Sequence, residues 1–143
     1  MRIREAGPED AEALVELFVE LGYPDEAERV AGRVARFAAD PSSRLLVTED
    51  GGELVGFASA SVMPLAHEDE SWCRLSALVV AERLRREGVG RALVEAVEAF
   101  ARSHGCGLVE VTSGERPHRE AAHRFYEALG YEEVSKRYLK GLA

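Results

Sequence analysis

The chain has 143 residues, 46% of them hydrophobic and 31% charged, with 18 Lys and Arg against 26 Asp and Glu and a formal net charge of −8. That length suits a single domain, 1–143, with interior enough to fold without disulfide or metal staples, and the composition is that of a globular chain. The acidic balance speaks against nonspecific nucleic-acid binding, which needs a basic surface, and no run reaches the roughly 18 apolar residues of a membrane span. The start, Met1-Arg2-Ile3-Arg4-Glu5, carries charge where a signal peptide needs an apolar stretch, so a cytoplasmic protein is expected. Cys73 and Cys106 lack metal-type spacing and read as small apolar packing residues; no metal site is expected.

Arg2 to Ala6 alternates and ends in Gly7-Pro8, which predicts a strand followed by a helix with proline in its first turn. Leu14, Leu17, Phe18 and Leu21 fall at i, i+3, i+4 and i+7, opposite Glu12, Glu16 and Glu20 and before Gly22, the pattern of an amphipathic helix with its stop. A second helix is predicted from Asp25, which with Glu28 resembles a capping box, through Val30, Val34 and Phe37 to Asp40-Pro41. From Arg44 the period changes. Leu45 to Thr48 and Leu54 to Ala58 read as strands joined through Asp50-Gly51-Gly52, an antiparallel hairpin. Pro64 to Glu70 reads as a polar loop before a strand from Trp72 to Val80. Val89, Leu93, Val97, Phe100 and Ala101 predict a helix ended by His104-Gly105, with the strand Leu108 to Val111 after it, so a parallel crossover is implied. A last helix is expected over Pro117 to Leu129, entered through Thr112-Ser113-Gly114 and stopped by Gly130, with a closing strand near Tyr131 to Leu139. This order makes a mixed α/β sheet.

Between Leu78-Val79-Val80 and the third helix lies Arg85-Arg86-Glu87-Gly88-Val89-Gly90-Arg91. Two glycines at a strand-to-helix junction let the backbone turn tightly and leave N–H groups at a helix N-terminus, where anions bind. Arg83, Arg85, Arg86 and Arg91 concentrate positive charge here in an acidic chain, although Arg83 reads as solvated surface. The stretch is either a pyrophosphate cradle or an ordinary strand-to-helix turn, and it lacks the Gly-Lys-Ser/Thr ending of a nucleotide hydrolase.

Arg85-x-x-Gly88-x-Gly90 after Leu78-Val79-Val80, followed by a helix, a strand and then Ala122-His123-Arg124-Phe125-Tyr126-Glu127-Ala128-Leu129-Gly130-Tyr131, resembles the GCN5-related N-acetyltransferase (GNAT) superfamily over nearly the whole chain. The resemblance implies an α/β fold with a central mixed sheet, about four helices and two parallel strands, Trp72–Val80 and Leu108–Val111, splayed around acetyl-coenzyme A. It implies backbone pairing of Leu78, Val79 and Val80 with the pantetheine arm. The pyrophosphate would be received by amides from Arg86 through Arg91, with Glu87, Gly88, Val89 and Gly90 among them, and by Arg85 beside them.

The same resemblance implies direct attack of a primary amine, of a small molecule or a protein, on the thioester. An oxyanion donor would lie near Val79, and Tyr126 would protonate the leaving thiol, a role a phenol fills because it is protonated at neutral pH. Relatives often carry a glutamate where this chain has Ser76, so the base stays open among Glu110, Glu70, His67 and ordered water. Where relatives commonly have an asparagine this chain has Arg119, within a basic segment with Arg116, His118 and His123 that either lines the site mouth or is a solvated face. The acceptor site is expected from Gly22 to Asp40 and Pro64 to Glu70, and the acidic loop His67 to Glu70 would suit a cationic acceptor. Homodimers are common among relatives. The alternative function is a non-catalytic acyl-coenzyme A sensor or structural module.

Overall fold

The computed structural model describes residues 1–112 and 119–143, without the side chain of Arg119. The chain divides into two compact units, Met1–Thr112 and Ser113–Ala143. The first holds a five-stranded sheet in the order β1-β2-β3-β4-β5: β1 Arg2–Glu5, β2 Ser43–Asp50, β3 Glu53–Met63, β4 Ser71–Val80 and β5 Cys106–Val111. The first three neighbouring pairs are antiparallel and β4–β5 is parallel, as the strand-helix-strand order requires.

Alternation along β3 sends successive side chains to opposite faces, and both faces are covered. On one, Phe57, Val47, Leu45 and Val79 join Leu14 and Leu17 of α1 (Ala11–Leu21) and Val30 and Val34 of α2 (Ala27–Ala39) in one buried cluster. On the other, Gly56 lies under α3 (Val89–Ser103): a Cβ there would stand 3.2 Å from Leu93 Cδ1, Val89 Cγ1 and the Val79 carbonyl oxygen. The missing side chain lets the first turn of α3 settle onto β3 and β4. Gly51 and Gly52 turn the β2–β3 hairpin with φ of 59° and 83°, the positive values a two-residue loop demands.

α1 ends as its sequence predicts, in a Schellman cap: Gly22 has φ 94°, its N–H reaches Val19 O at 3.0 Å and the Tyr23 N–H reaches Phe18 O at 2.9 Å. The start of α2 differs from expectation. Its N-cap is Glu26, with no side-chain cap bond, because the Asp25 carboxylate is taken by Arg33 Nη1 at 2.7 Å, Arg29 Nε at 3.2 Å and the Glu26 N–H at 2.8 Å. Proline opens a 3-10 turn, Pro8–Asp10, ahead of α1, and there Asp10 accepts both guanidinium Nη atoms of Arg4 at 2.7 and 2.8 Å while Arg4 also meets Glu49.

In the second unit α4 spans Arg119–Ala128. The predicted closing strand is absent: residues 131–143 have no regular structure, and Val134, Tyr138, Leu139 and Leu142 are exposed. The apolar residues there fall at spacings of four, one and three, so no face repeats with a period of two, and charges at Glu132, Glu133, Lys136, Arg137 and Lys140 interrupt them. Ser113, Gly114, Arg116, Pro117 and His118 lie outside the described residues, as do the expectations for a helix entry and a basic segment that rest on them.

Candidate active site

The β4–β5 ladder stops at the pair Leu75–Val111, while β4 runs on from Ser76 to Val80 with β3 on its other side alone. Along this extension the Ala81 N–H donates to Val55 O at 2.8 Å. Strand alternation then turns the backbone of Val79 toward β3 and that of Leu78 and Val80 toward the unpaired side. Arg85 Nε donates to Val80 O at 3.3 Å, in keeping with that direction. Val79 itself is 7% exposed and its side chain belongs to the core.

From Val80 the chain passes through a 3-10 turn, Glu82–Leu84, to the glycine loop. Arg86 takes φ 70°, rare for a residue with a Cβ, and Gly88 caps α3 at φ 86° and ψ 3°. The first bond of the α3 ladder is Ala92 N–H to Gly88 O at 3.0 Å, so the amides of Val89, Gly90 and Arg91 precede the ladder. Among the described residues no side-chain cap bond closes this helix start, and no acidic residue occupies its first turn. Around them Arg85 lies 3.6 Å from Glu20, Arg91 pairs with Glu95 one turn along its own helix at 3.2 Å, and Glu87 is exposed. Arg83, read as surface charge, pairs with Glu53 at 2.6 Å. Val89 anchors the loop by its buried side chain.

At the point where β5 leaves β4 the strand bulges. Ala60 pairs with Leu75 and Ser59 with Ala77, leaving Ser76 as the extra residue, and its hydroxyl lies 2.8 Å from that of Ser59. Ser59, Ser76 and Ala77 floor a cavity of about 540 Å³ whose walls are the α1–α2 connection and one face of α2. From the stretch Gly22 to Asp40, where an acceptor site is expected, Gly22 to Asp25 and then Arg33, Val34 and Phe37 line this cavity; no residue of Pro64 to Glu70 lines it.

The base candidates fare unequally. Glu110 stands opposite Arg74 in the β4–β5 ladder and is bound to it at 2.7 Å. Glu70 and His67 belong to the other end of β4: the Glu70 carboxylate occupies the space a Cβ on Gly107 would need, and the His67 ring meets Trp72 edge-on at 6.4 Å. At ~3.3 Å per residue the six positions from Glu70 to Ser76 amount to roughly 20 Å. Neither side chain lines the cavity. The serine pair and the cavity walls are not marked in the sequence: Ser59 and Ser76 are two of several polar residues in these strands, beside Ser61 in β3 and Arg74 in β4.

In the second unit the helix-ending motif resolves into a cap. Gly130 has φ 91°, its N–H reaches Glu127 O at 3.0 Å, and the Tyr131 N–H reaches Tyr126 O at 3.0 Å, again a Schellman motif. The contact that accompanies such a cap joins the two tyrosine rings, 5.8 Å apart, with Phe125 against Tyr126 at 5.1 Å. Burial pushes the Tyr126 phenol up to about 12.

The family model "Acetyltransferase (GNAT) family" matches residues 11–131. An aminoglycoside N(6')-acetyltransferase type 1 of Klebsiella aerogenes is 37% identical over 112 residues, covering 77% of this chain and 70% of the relative. An aminoalkylphosphonate N-acetyltransferase of Salmonella typhimurium is 31% identical over 143 residues, covering 98% of this chain and 90% of the relative. Among solved structures, an aminoglycoside N-acetyltransferase in complex with coenzyme A superposes with a TM-score of 0.85 at 19% identity, covering 99% of this chain and 93% of that one.

Proposed function

The chain belongs to the acetyltransferase (GNAT) family and is an N-acetyltransferase that uses acetyl-coenzyme A; from that premise we propose that it acetylates a primary amine by direct attack on the thioester, with Tyr126 as the acid. When bound, acetyl-coenzyme A supplies an acetyl group already activated as a thioester.

The observation that carries the reading is the junction itself: a strand that outruns its parallel partner and leads into a helix whose first amides are uncapped. Those amides, of Val89, Gly90 and Arg91, together with the guanidinium groups of Arg85 and Arg86, would hold the pyrophosphate, since arginine can donate two parallel bonds to phosphate oxygens. The backbone groups of Leu78 and Val80 would pair with the pantetheine arm as a missing strand would. Of the two, the Leu78 N–H lies nearer the bulge and is the donor suited to charge developing on the carbonyl oxygen, one residue from the position expected of Val79. Tyr126 would hand its proton to sulfur; with burial raising its pKa to about 12 the phenol stays a donor across the physiological range. With Glu110 held by Arg74, the acceptor's proton would pass to water past the Ser59–Ser76 hydroxyls.

The test is calorimetric titration with acetyl-coenzyme A together with thiol release in the presence of a panel of primary amines. Binding followed by amine-dependent thiol release is expected. The engaged Glu110 and the serine at position 76 favour one second reading, a coenzyme sensor, for which binding would occur and thiol release would not.

A further inference from the structure

The cavity beside the bulge has walls that describe its occupant, provided the transferase reading above holds. Its body is apolar and aromatic: Phe18, Tyr23, Phe37 and Phe57 contribute rings, and the sheet adds Leu45 and Ala77. The Schellman cap of α1 ties the backbone of Tyr23 to that of Phe18, and the Phe18 ring meets the Phe57 ring at a tilt of 54° with centroids 4.9 Å apart. The polar groups are few and their places are definite. Ser59 and Ser76 form the floor at the strand that outruns β5, and Asp25 with Arg33 stands at the rim.

Asp25 is the cavity's one carboxylate among the described residues, and its charge is already met by Arg33 at 2.7 Å and Arg29 at 3.2 Å. Arg33 also lies over the Phe18 ring, its guanidinium carbon 5.5 Å from the centroid. With Asp25 so engaged, the lining of this cavity presents no unmatched carboxylate among the described residues. Several carboxylates line a separate cavity of about 850 Å³, among them Glu9, Glu16, Glu20 and Glu49, together with Arg4 and Arg83. An acceptor with several ammonium groups would therefore bury charges with no partners, a costly arrangement.

We propose that the acceptor is a monoamine with an aromatic or branched aliphatic body, its amine directed at the Ser59–Ser76 floor, and that polycationic amines are poor substrates. The volume of about 540 Å³ lies within the range of small-molecule sites. This departs from what the names of the aminoglycoside-acetylating relatives would suggest for the acceptor.

The experiment compares 2-phenylethylamine with an aminoglycoside by thiol release from acetyl-coenzyme A, in the wild type and in Phe37→Leu and Phe37→Ala. Phe37 is half-buried, so both variants should fold, which circular dichroism checks. The expected result is a kcat/KM for 2-phenylethylamine at least ~10-fold above that for the aminoglycoside, and a KM for the aromatic amine that rises ~10-fold in Phe37→Ala, less in Phe37→Leu, with the KM for acetyl-coenzyme A unchanged. Preference for the aminoglycoside, or an aromatic-amine KM indifferent to both substitutions, overturns the inference while leaving the transferase standing. Coenzyme binding with no thiol release from any amine overturns both.

Discussion

The carbonyl of Tyr126 accepts the N–H of Tyr131 at 3.0 Å while their rings meet 5.8 Å apart, so the cap of α4 also restrains the orientation of the proposed acid. Tyr126→Phe keeps ring and cap and removes the proton. Turnover should fall ~10²-fold or more with the Kd for acetyl-coenzyme A nearly unchanged, measured by steady-state thiol release and calorimetry. Since burial pushes the phenol up to about 12 from an ordinary value of about 10, its loss of a proton should leave no alkaline limb in the kcat profile below about pH 10. Unaltered turnover in Tyr126→Phe would remove the residue from the mechanism.

Arg86 carries a positive φ of 70° that a glycine would adopt without steric cost. Arg86→Gly should therefore stabilise the fold slightly, by about 0.5–1 kcal/mol, while weakening coenzyme A binding several-fold through loss of a cation from the loop that leads into α3. Opposite signs in a thermal melt and a binding titration are the signature; a melt that falls together with affinity contradicts it.

Gly56 holds α3 against the sheet, and Gly88 starts that helix. Gly56→Val would push on Leu93, Val89 and the Val79 carbonyl, all 3.2 Å from the new Cβ, costing ~1–3 kcal/mol and loosening coenzyme A binding through the shifted first turn. Gly88→Val has open space for its side chain but must hold φ 86°, so binding should fall severely with the fold intact. If Gly88→Val binds coenzyme A normally, the loop is only a turn.

The Arg4–Asp10 pair predicts acid sensitivity. The guanidinium of Arg4, with help from the Gly7 N–H, holds the Asp10 carboxyl below its usual range. A depressed pKa contributes stability that is complete above the unfolded value of about 3.9 and is lost as pH falls through the folded one. Arg4→Met leaves Asp10 nearly buried and unmatched, so the melting temperature at pH 7 should drop, by roughly 2 kcal/mol of stability, and its decline toward pH 3 should flatten. Parallel melting curves for wild type and variant across that range would refute the assignment.

The helices were legible because their stripes and glycine stops are local: Leu14 to Gly22 and Val89 to Gly105 name their own faces and ends. The glycine loop was legible for the same reason. Asp25 misled because a capping box is judged from spacing alone, while two arginines a turn or two further along α2 compete for the same carboxylate. The cavity was not legible at all, since Phe18, Phe37, Phe57 and Ser76 meet only through tertiary packing.

The bulge at Ser76 has one more consequence. Cys73 and Leu75 are buried and so is Val79, so the odd positions of β4 look like one uninterrupted interior row. They are not one row. Leu75 lies opposite Ala60, on the Gly56 side beneath α3, whereas Ala77 and Val79 lie opposite Ser59 and Phe57, beneath α1 and α2. The extra residue works as a frameshift in three dimensions: one strand supplies apolar side chains first to one face and then to the other without breaking its rhythm. Because both faces are covered, Cys73, Leu75 and Val79 each find an interior, and the phase change leaves no trace in the order of polar and apolar letters.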